Sequence, residues 1–249
     1  MARVLVTGSA DGLGLAVGQR LLDQGHEVVL HARSDARAAE TREAAPGAAD
    51  VLVGDLSSEA QTRALADAAN ASGRFDAVIH NAGVGSGGGG RTEDGRSTLF
   101  AVNVVAPYLL TALMTRPDRL VYLSSGMHRS GRAELADPEG RSWSYGDTKL
   151  ADAALAAAVA RRWPDVRSNA VDPGWIKTRM GGAGAPGSLD QGSATQIWLA
   201  VDDDPAALVS GRYFKDRHEE RPDAAVQDER FQDELLATLA RVTGTDLPA

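Results

Sequence analysis

The chain contains no cysteine. That excludes a disulfide framework and a thiolate metal site, and it suits a reducing compartment. Positive charge is also short. Lys and Arg number 26 against 34 Asp and Glu, giving a net charge of −8 and a pI near 5.1. This balance argues against a nucleic-acid or anionic-membrane surface. It leaves open a phosphate-bearing small molecule, which is read by local groups. No apolar run approaches the roughly 20 residues of a membrane span. The N-terminus enters strand-like residues at Arg3 without a charged leader. A cytoplasmic protein with no membrane or nucleic-acid partner is expected. Gly-x-Ser-x-Gly, a Walker loop and His-Glu-x2-His are all missing. Their absence removes the commonest hydrolase, triphosphatase and zinc-protease readings.

Lysine is the scarcest charged residue: Lys149, Lys177 and Lys215 are the whole set. Lys149 stands four positions after one of only four tyrosines, in Tyr145-Gly146-Asp147-Thr148-Lys149. Random placement gives about 0.05 such pairs. An Ala- and Leu-rich run follows, reading as a helix from about Ser144 to Trp163 that stops at Pro164. Positions i and i+4 share a helix face. An ammonium there lies beside the phenol and favours its ionised form. Arginine, bulkier and permanently charged, would replace it poorly. The plain alternative is a surface Tyr and Lys on an ordinary helix.

Near the N-terminus, Val4-Leu5-Val6-Thr7 reads as a buried strand. Gly8-Ser9-Ala10-Asp11-Gly12-Leu13-Gly14 follows at once, then a helical run from Leu15 to Gln24. Strand, glycine turn and helix make the first unit of a dinucleotide-binding fold. Its glycines let a pyrophosphate approach backbone N–H groups at the helix N-terminus. An oxidised nicotinamide would then be a second positive group near Tyr145. A second strand, His26 to Ala32, ends at Arg33. A basic residue there accommodates the 2′-phosphate of NADP, where a carboxylate would bind the 2′-hydroxyl of NAD. NADP is favoured, with Asp11 as a contrary charge in the loop and a solvated Arg33 as the alternative.

Val51 to Leu56 reads as a third strand. Its Asp55 and Leu56 are placed to hold an adenine, or Asp55 or Ser57 to cap the helix Glu59–Ala71. A fourth strand, Phe75 to His80, runs into Asn81-Ala82-Gly83, and Val84 to Gly95 reads as a mobile glycine-rich loop. A helix spans Ser97 to Met114 with Asn103 inside it, either a satisfied core amide or a site residue. Leu120 to Leu123 forms a fifth strand ending in Ser124-Ser125, at the sheet edge where open α/β sheets bind ligands. His128, in the polar excursion Gly126 to Ser144, reads as a solvated loop residue. A sixth strand, Arg167 to Val171, leads to the rigid turn at Pro173-Gly174. Met180 to Gly192 suits a flexible lid. A helix at Ala194–Val201, a seventh strand at Gly211–Phe214 and an amphipathic helix at Asp228–Val242 complete the chain. The expectation is one doubly wound α/β domain over residues 1–249, with about seven parallel strands and helices on both faces.

Taken together, Thr7-Gly8-x3-Gly12-x-Gly14, Asp55-Leu56, Asn81-Ala82-Gly83, Asn103, Ser125, Tyr145-x3-Lys149 and Pro173-Gly174-x3-Thr178 resemble the short-chain dehydrogenase/reductase family over nearly the whole chain. The resemblance implies hydride transfer between NAD(P) and an alcohol or carbonyl. It implies Tyr145 as general acid, and Lys149 as the group that tunes it and holds the nicotinamide ribose. Ser125 would bind the substrate oxygen, and Asn103 would hold a water in a relay to Lys149. Gly8, Ser9, Gly12 and Leu13 would line the pyrophosphate and ribose, and Asn81, Ala82 and Gly83 the adenosine ribose. Ile176 and Thr178 would meet the nicotinamide carboxamide beside Pro173 and Gly174.

Two features depart from the pattern. His80 replaces an asparagine common in the family. Ser125 lies 20 positions before Tyr145, a spacing closer to carbonyl-reductase- and retinol-dehydrogenase-like branches. Ser130 and Ser144 are weaker candidates for the serine, since neither follows the fifth strand. The extra residues are placed at the site rim, shaping substrate entry or blocking a homodimer or homotetramer contact. Competing functions are a non-catalytic NADP-binding regulator on the same fold and a sugar-nucleotide epimerase or dehydratase. The second usually carries a larger C-terminal domain than the residues after Thr178 provide.

Overall fold

The computed structural model describes residues 1–85, 90–137 and 139–249. Their strands form one sheet in the order β3-β2-β1-β4-β5-β6-β7-β8. The strands are β1 Arg3–Val6, β2 Glu27–Ala32, β3 Asp50–Val53, β4 Ala77–His80, β5 Arg119–Leu123, β6 Arg167–Asp172, β7 Tyr213–Lys215 and β8 His218–Glu219. All pairings are parallel except β7 with β8. The order reverses between β1 and β4, which opens a crevice at the carboxyl ends of those two strands.

Side chains alternate across each strand, and both faces are covered. Val4 and Val6 join Val17, Leu21, Leu199 and Phe214 in one core. Leu5 joins Leu65, Leu109, Leu155 and Leu239 in the other. The first core lies under α1 Gly12–Asp23, α2 Asp35–Ala44 and α7 Leu189–Val201. The second lies under α3 Glu59–Ala71, α5 Ala106–Leu113, α6 Tyr145–Arg162 and α8 Glu229–Thr243. Burial on both faces explains why the central strands read as continuous apolar runs. Among the described residues no helix is long and apolar enough to cross a membrane.

Three elements differ from the sequence reading. Helix α2 was not anticipated, because Asp35–Ala44 is largely polar and buries only Ala38 and Thr41. Strand β8 is a two-residue antiparallel return on a turn in which Asp216 and Arg217 have φ of 48° and 61°. The helix expected over Ser97–Met114 is a short α4 (Thr98–Phe100), a π-type turn at Ala101–Val105, and α5. Such turns recur at functional positions, and this one carries Asn103.

Candidate active site

The glycine turn is shaped by close packing. Gly8 has φ +62°, and a Cβ there would lie 2.6 Å from the Ala82 Cα. At Gly14 a Cβ would lie 2.4 Å from both Asn81 Nδ2 and the Gly8 carbonyl. Asn81 Nδ2 donates to the Thr7 and Gly8 carbonyls at 2.9 and 3.1 Å, and the Ala82 N–H donates to Thr7 Oγ1 at 3.1 Å. The structure thus brings Gly8, Gly12 and Asn81–Gly83 to one end of β1 and β4. Ser9 is there too, but its hydroxyl is buried and donates to the Val6 carbonyl at 2.8 Å. Its N–H is engaged too, donating to the His31 carbonyl at 3.1 Å, so Ser9 would line a cofactor by backbone contact alone. Across the turn, a Cβ on Gly12 would approach Thr178 Cγ2 to 3.6 Å, so the loop after β6 overlies the α1 N-terminus. Asp11 precedes α1 without a side-chain capping bond. An α1 N-terminus walled by glycines is a cradle that fits a pyrophosphate.

His31 completes this turn and was not singled out from sequence. Its Nδ1 accepts from the Gly8 N–H at 2.9 Å, and its Nε2 donates to the Gly54 carbonyl at 2.8 Å. Burial lowers its pKa, against a smaller raising influence of that carbonyl and Asp55. The available signal was a lone titratable residue inside an apolar strand. The unfolded chain gains a proton at this site near the ordinary value of 6.5, while the fold resists it. Stability from this difference is full above that value and falls as pH drops below it, by about 1.4 kcal/mol per pH unit down to the folded pKa. Urea unfolding at about pH 7.5 and about pH 5.5 should therefore show a larger loss in wild type than in His31→Gln. Equal losses would contradict the assignment.

Arg33 is exposed just past β2. The contrary charge of Asp11 is answered by residues absent from the sequence reading. Arg37 on α2 donates to Asp11 Oδ2 at 2.8 Å and to the Ala10 carbonyl at 3.1 Å. Arg179 approaches the same oxygen at 3.3 Å. No signal in the sequence marked Arg37, because α2 itself was not foreseen.

Beyond β3, Asp55 Oδ1 accepts from the Ser57 N–H and hydroxyl at 2.9 and 2.8 Å. The α3 cap is Ser58, which accepts from the Gln61 N–H, rather than Asp55 or Ser57. Asp55 is half-buried, whereas Leu56 is 6 % exposed and packs in the core.

At the other half of the crevice, α6 begins at Tyr145. Ser144 and Asp147 form a capping box. Arg132 adds an ion pair to Asp147 at 2.8 Å. Burial would raise the Asp147 carboxyl; the hydrogen bonds from Arg132 and Ser144 outweigh it and bring it down to about 2. This anchor fixes the first turn, and with it the half-buried Tyr145. Lys149 Nζ lies 5.6 Å from the Tyr145 ring centroid. It donates to the Leu123 carbonyl at 2.7 Å. Ser124 Oγ donates to the Lys149 carbonyl at 2.7 Å, so the end of β5 is tied to the turn carrying the lysine. Ser125 follows, half-buried, its Oγ accepting from the Met127 N–H at 3.2 Å.

Asn103 closes the group. Its Oδ1 accepts from the Val84 N–H at 2.8 Å, and its Nδ2 donates to Thr148 Oγ1 at 3.0 Å and to the Val84 carbonyl at 3.1 Å. A Cβ on Gly83 would lie 3.4 Å from Asn103 Oδ1 and 3.6 Å from Lys149 Nζ. Asn103, Gly83 and Lys149 therefore meet. The Asn103 side chain is engaged by protein groups as a satisfied amide would be.

The turn after β6 is set by Asp172, whose Oδ1 accepts from the Gly174 N–H at 2.9 Å; Gly174 has φ +83°. It carries Pro173, Gly174 and Ile176 to the crevice. The Ile176 side chain is buried, and a Cβ on Gly192 would lie 2.7 Å from it.

Several loop expectations are corrected. His128 is fully buried, not solvated. Its Nδ1 donates to the Ser125 carbonyl at 2.7 Å, its Nε2 accepts from the Asp223 N–H at 3.0 Å, and its ring packs on Tyr213. In the Val84–Gly95 loop, residues 86–89 lie outside the described residues. Residues 90–95 make contacts of their own: Arg91 bridges Ser97, and Arg96 pairs with Glu59 and Asp94 at 2.9 Å. The 180–192 segment likewise has contacts of its own. Lys177 and Gly187 hydrogen-bond across it, Trp175 Nε1 donates to the Gly181 carbonyl at 2.9 Å, and α7 already begins at Leu189. In the 126–144 excursion, Trp143 packs on Phe100 with ring centroids 4.6 Å apart. That segment therefore covers the start of α4 as well as α6.

A parallel sheet with a glycine cradle at its topological switch point, and a Tyr–Lys helix opposite, defines a dinucleotide-dependent oxidoreductase architecture. Comparison with known proteins agrees. The family model for short chain dehydrogenases matches residues 2–186. An uncharacterized oxidoreductase of Emericella nidulans is 46 % identical, covering 100 % of this chain and 99 % of its own. The short-chain dehydrogenase chyC of Penicillium rubens is 40 % identical over 100 % of both chains. Retinol dehydrogenase 14 of Mus musculus is 31 % identical over 87 % of this chain and 78 % of its own. Among solved structures, an uncharacterized protein from Mycobacterium paratuberculosis superposes with a TM-score of 0.83 at 25 % identity, covering 100 % and 96 % of the two chains. The chain belongs to the short-chain dehydrogenase/reductase family and is an NAD(P)-dependent oxidoreductase.

Proposed function

We propose that this protein is an NADPH-dependent reductase of a ketone or aldehyde, or the corresponding alcohol dehydrogenase in reverse. The observation that carries the reading is Lys149 Nζ 5.6 Å from the Tyr145 ring centroid, with Gly83 and Asn103 beside it at the end of the sheet where β5 leads into Ser125. NADPH, when bound, supplies the hydride that the carbonyl carbon accepts. Tyr145 gives its hydroxyl proton to the carbonyl oxygen, so the product is the alcohol and the cofactor leaves as NADP. The Ser125 hydroxyl donates a hydrogen bond to the same oxygen and steadies the charge developing there. Lys149 stabilises the tyrosine's ionised form and offers an N–H to the ribose. Asn103 holds Gly83 and Val84 against Lys149, and a water at the π-type turn would serve the proton's return from solvent.

Gly8, Ser9 (through its backbone), Gly12 and Leu13 would take the pyrophosphate and ribose. Asp55, Leu56 and Asn81, Ala82 and Gly83 would border the adenosine. Pro173, Gly174, Ile176 and Thr178 would border the nicotinamide. The reading treats residues 1–249 as one domain, with a cytoplasmic location. Because the 126–144 excursion covers the starts of α4 and α6, a homo-oligomer would have to pair elsewhere or around it. Exposed Met127, Trp175 and Met180 stand on the loops after β5 and β6; they favour a carbonyl compound with an apolar body.

NADP is favoured over NAD because Arg33, at the end of β2, makes no ion pair among the described residues, while Arg37 and Arg179 offset Asp11. Two solved structures of the same fold, 24 % and 23 % identical, are complexes with NADPH and with NADP. A charge-assisted phosphate contact is worth roughly 1.5–3 kcal/mol, or about tenfold to a hundredfold. Arg33→Asp should lower the ratio of NADPH to NADH affinity by at least about tenfold. Arg37→Ala, which bares Asp11, should lower it in the same direction. Calorimetric titration checks both, and an unchanged ratio in Arg33→Asp removes Arg33 from the argument.

The test of function is a panel of ketones and aldehydes followed at the NADPH absorbance. Turnover that Tyr145→Phe abolishes supports the reading. Tight NADPH binding with no turnover across the panel would instead favour a non-catalytic NADP-binding regulator.

A further inference from the structure

Helix α6 buries a carboxylate that the proposed reaction leaves without a role. Asp152 lies three residues beyond Lys149, and the two are 3 % and 4 % exposed. Lys149 Nζ donates to Asp152 Oδ2 at 2.8 Å and to the Leu123 carbonyl at 2.7 Å. An ammonium has three donors. Two are held by these partners, and one is left for the side where Gly83 and Tyr145 lie. The neighbours of Asp152 along the helix, Ala151, Ala153 and Ala154, are buried and apolar. An apolar residue at 152 would suit that packing, and a buried ion pair is weak evidence of a role in stability alone.

We infer that Asp152 is a positioning residue of the reaction proposed above: it aims Lys149 at Tyr145 and the cofactor ribose. When ionised, it also offsets part of the ammonium charge and so sets the pH range of the reaction. The inference rests on the Tyr145–Lys149 reading.

The surroundings fit this role. Burial pushes the Asp152 carboxyl up, to about 6, despite the lysine. Burial alone would lower Lys149; the Asp152 carboxylate, with Tyr145, outweighs it and holds the lysine above its ordinary value. From β5, Tyr122 feels the same carboxylate, and burial raises the Tyr122 phenol far above its usual range. Tyr122 hydrogen-bonds Thr111 Oγ1 at 2.6 Å, and that oxygen meets His80 Nε2 at 3.2 Å. Burial brings His80 down to about 3. Tyr122 and His80 therefore hold their neutral forms near neutrality, and the carboxyl of Asp152 is the group of this cluster that burial raises towards that range.

The test compares wild type with Asp152→Asn, which keeps size and an acceptor but loses the charge. The first readout is the pH dependence of alcohol oxidation, where Tyr145 must accept a proton. Its midpoint should move to lower pH in Asp152→Asn, by roughly one unit. The second readout needs no turnover. NADP affinity of wild type should change between about pH 5 and 7 as Asp152 ionises, and Asp152→Asn should flatten that change. A role confined to stability would lower rate or affinity equally at every pH. An unmoved midpoint together with an unaltered binding curve overturns the inference. Absence of turnover in both proteins overturns the Tyr145 reading instead, and the binding curve then decides on Asp152 alone. Should the variant fail to fold, carbon NMR of the Asp152 carboxyl in wild type decides. An inflection between about pH 5 and 7 supports the role, and none in that range overturns it.

Discussion

Replacing Tyr145 by phenylalanine should lower turnover about a thousandfold or more, while leaving NADPH affinity within a few-fold of wild type. A positioned general acid contributes on the order of a hundredfold to ten-thousandfold. A thousandfold is about 4 kcal/mol of transition-state stabilisation. The phenylalanine ring keeps the half-buried packing of Tyr145, and the cap formed by Ser144 and Asp147 is untouched. The α6 helix should therefore form as before. What disappears is the proton that the carbonyl oxygen needs as hydride arrives at carbon. Steady-state rates and calorimetric binding measured on the same preparation separate the two effects. A variant that binds NADPH and turns over at the wild-type rate would remove Tyr145 from the chemistry. A variant that has lost binding would show that the hydroxyl serves to hold the cofactor and not the proton transfer alone.

The second large effect is expected at Gly14. An added Cβ would sit 2.4 Å from both the Gly8 carbonyl and Asn81 Nδ2, and 2.9 Å from the Ser9 Cα. Two of these three atoms are backbone of the cradle itself, so the clash cannot be relieved by swinging a side chain away. Relief would push the turn off Asn81, whose amide joins Thr7 and Gly8 to the end of β4. Overpacking of this kind costs about 1–3 kcal/mol, and each lost buried hydrogen bond adds about 1 kcal/mol or more. Gly14→Ala should therefore lose about 3 kcal/mol of stability and weaken NADPH binding by on the order of a hundredfold. Gly184→Ala is the control, because nothing lies within 4 Å of a Cβ there; it should change neither property measurably. Urea unfolding and binding titration check the pair. Intact NADPH affinity in Gly14→Ala would mean that the cofactor does not depend on the shape of this turn.

The fold was legible where burial and periodicity act together. The central strands are covered on both faces, so they stand out as apolar runs, and Tyr145–Arg162 announces itself by composition and by Pro164. The polar α2 was not legible. Two buried side chains on ten residues leave almost no periodic signal, and with it went the relation of Arg37 to Asp11. The π-type turn at Ala101–Val105 was invisible for a different reason. Its residues other than Asn103 are apolar, and the change in hydrogen bonding is made by packing rather than by composition. At the site, Tyr145, Lys149 and the glycine turn were readable because scarcity and spacing marked them. His31, His128 and Asp152 were not. Each is a polar group whose role depends on its surroundings in the fold: the Gly8 N–H and Gly54 carbonyl for His31, Ser125 and Asp223 for His128, and for Asp152 the ammonium of Lys149, held in turn by the Leu123 carbonyl. The contacts within the glycine-rich 180–192 loop were not legible for a similar reason. Small residues there allow close packing on Trp175 and Ile176 as readily as they allow motion.

The central claim is that hydride passes from the cofactor to a carbonyl carbon in this site, with the proton supplied by Tyr145. Its most direct measurement uses NADPH deuterated at the transferable position, incubated with wild type and Tyr145→Phe across the carbonyl panel, with products analysed by mass spectrometry. The account predicts one deuterium on the alcohol carbon formed by wild type and none above background with Tyr145→Phe. Deuterium transfer of equal extent by both proteins, or none by wild type with any carbonyl while NADPH is bound, would contradict it.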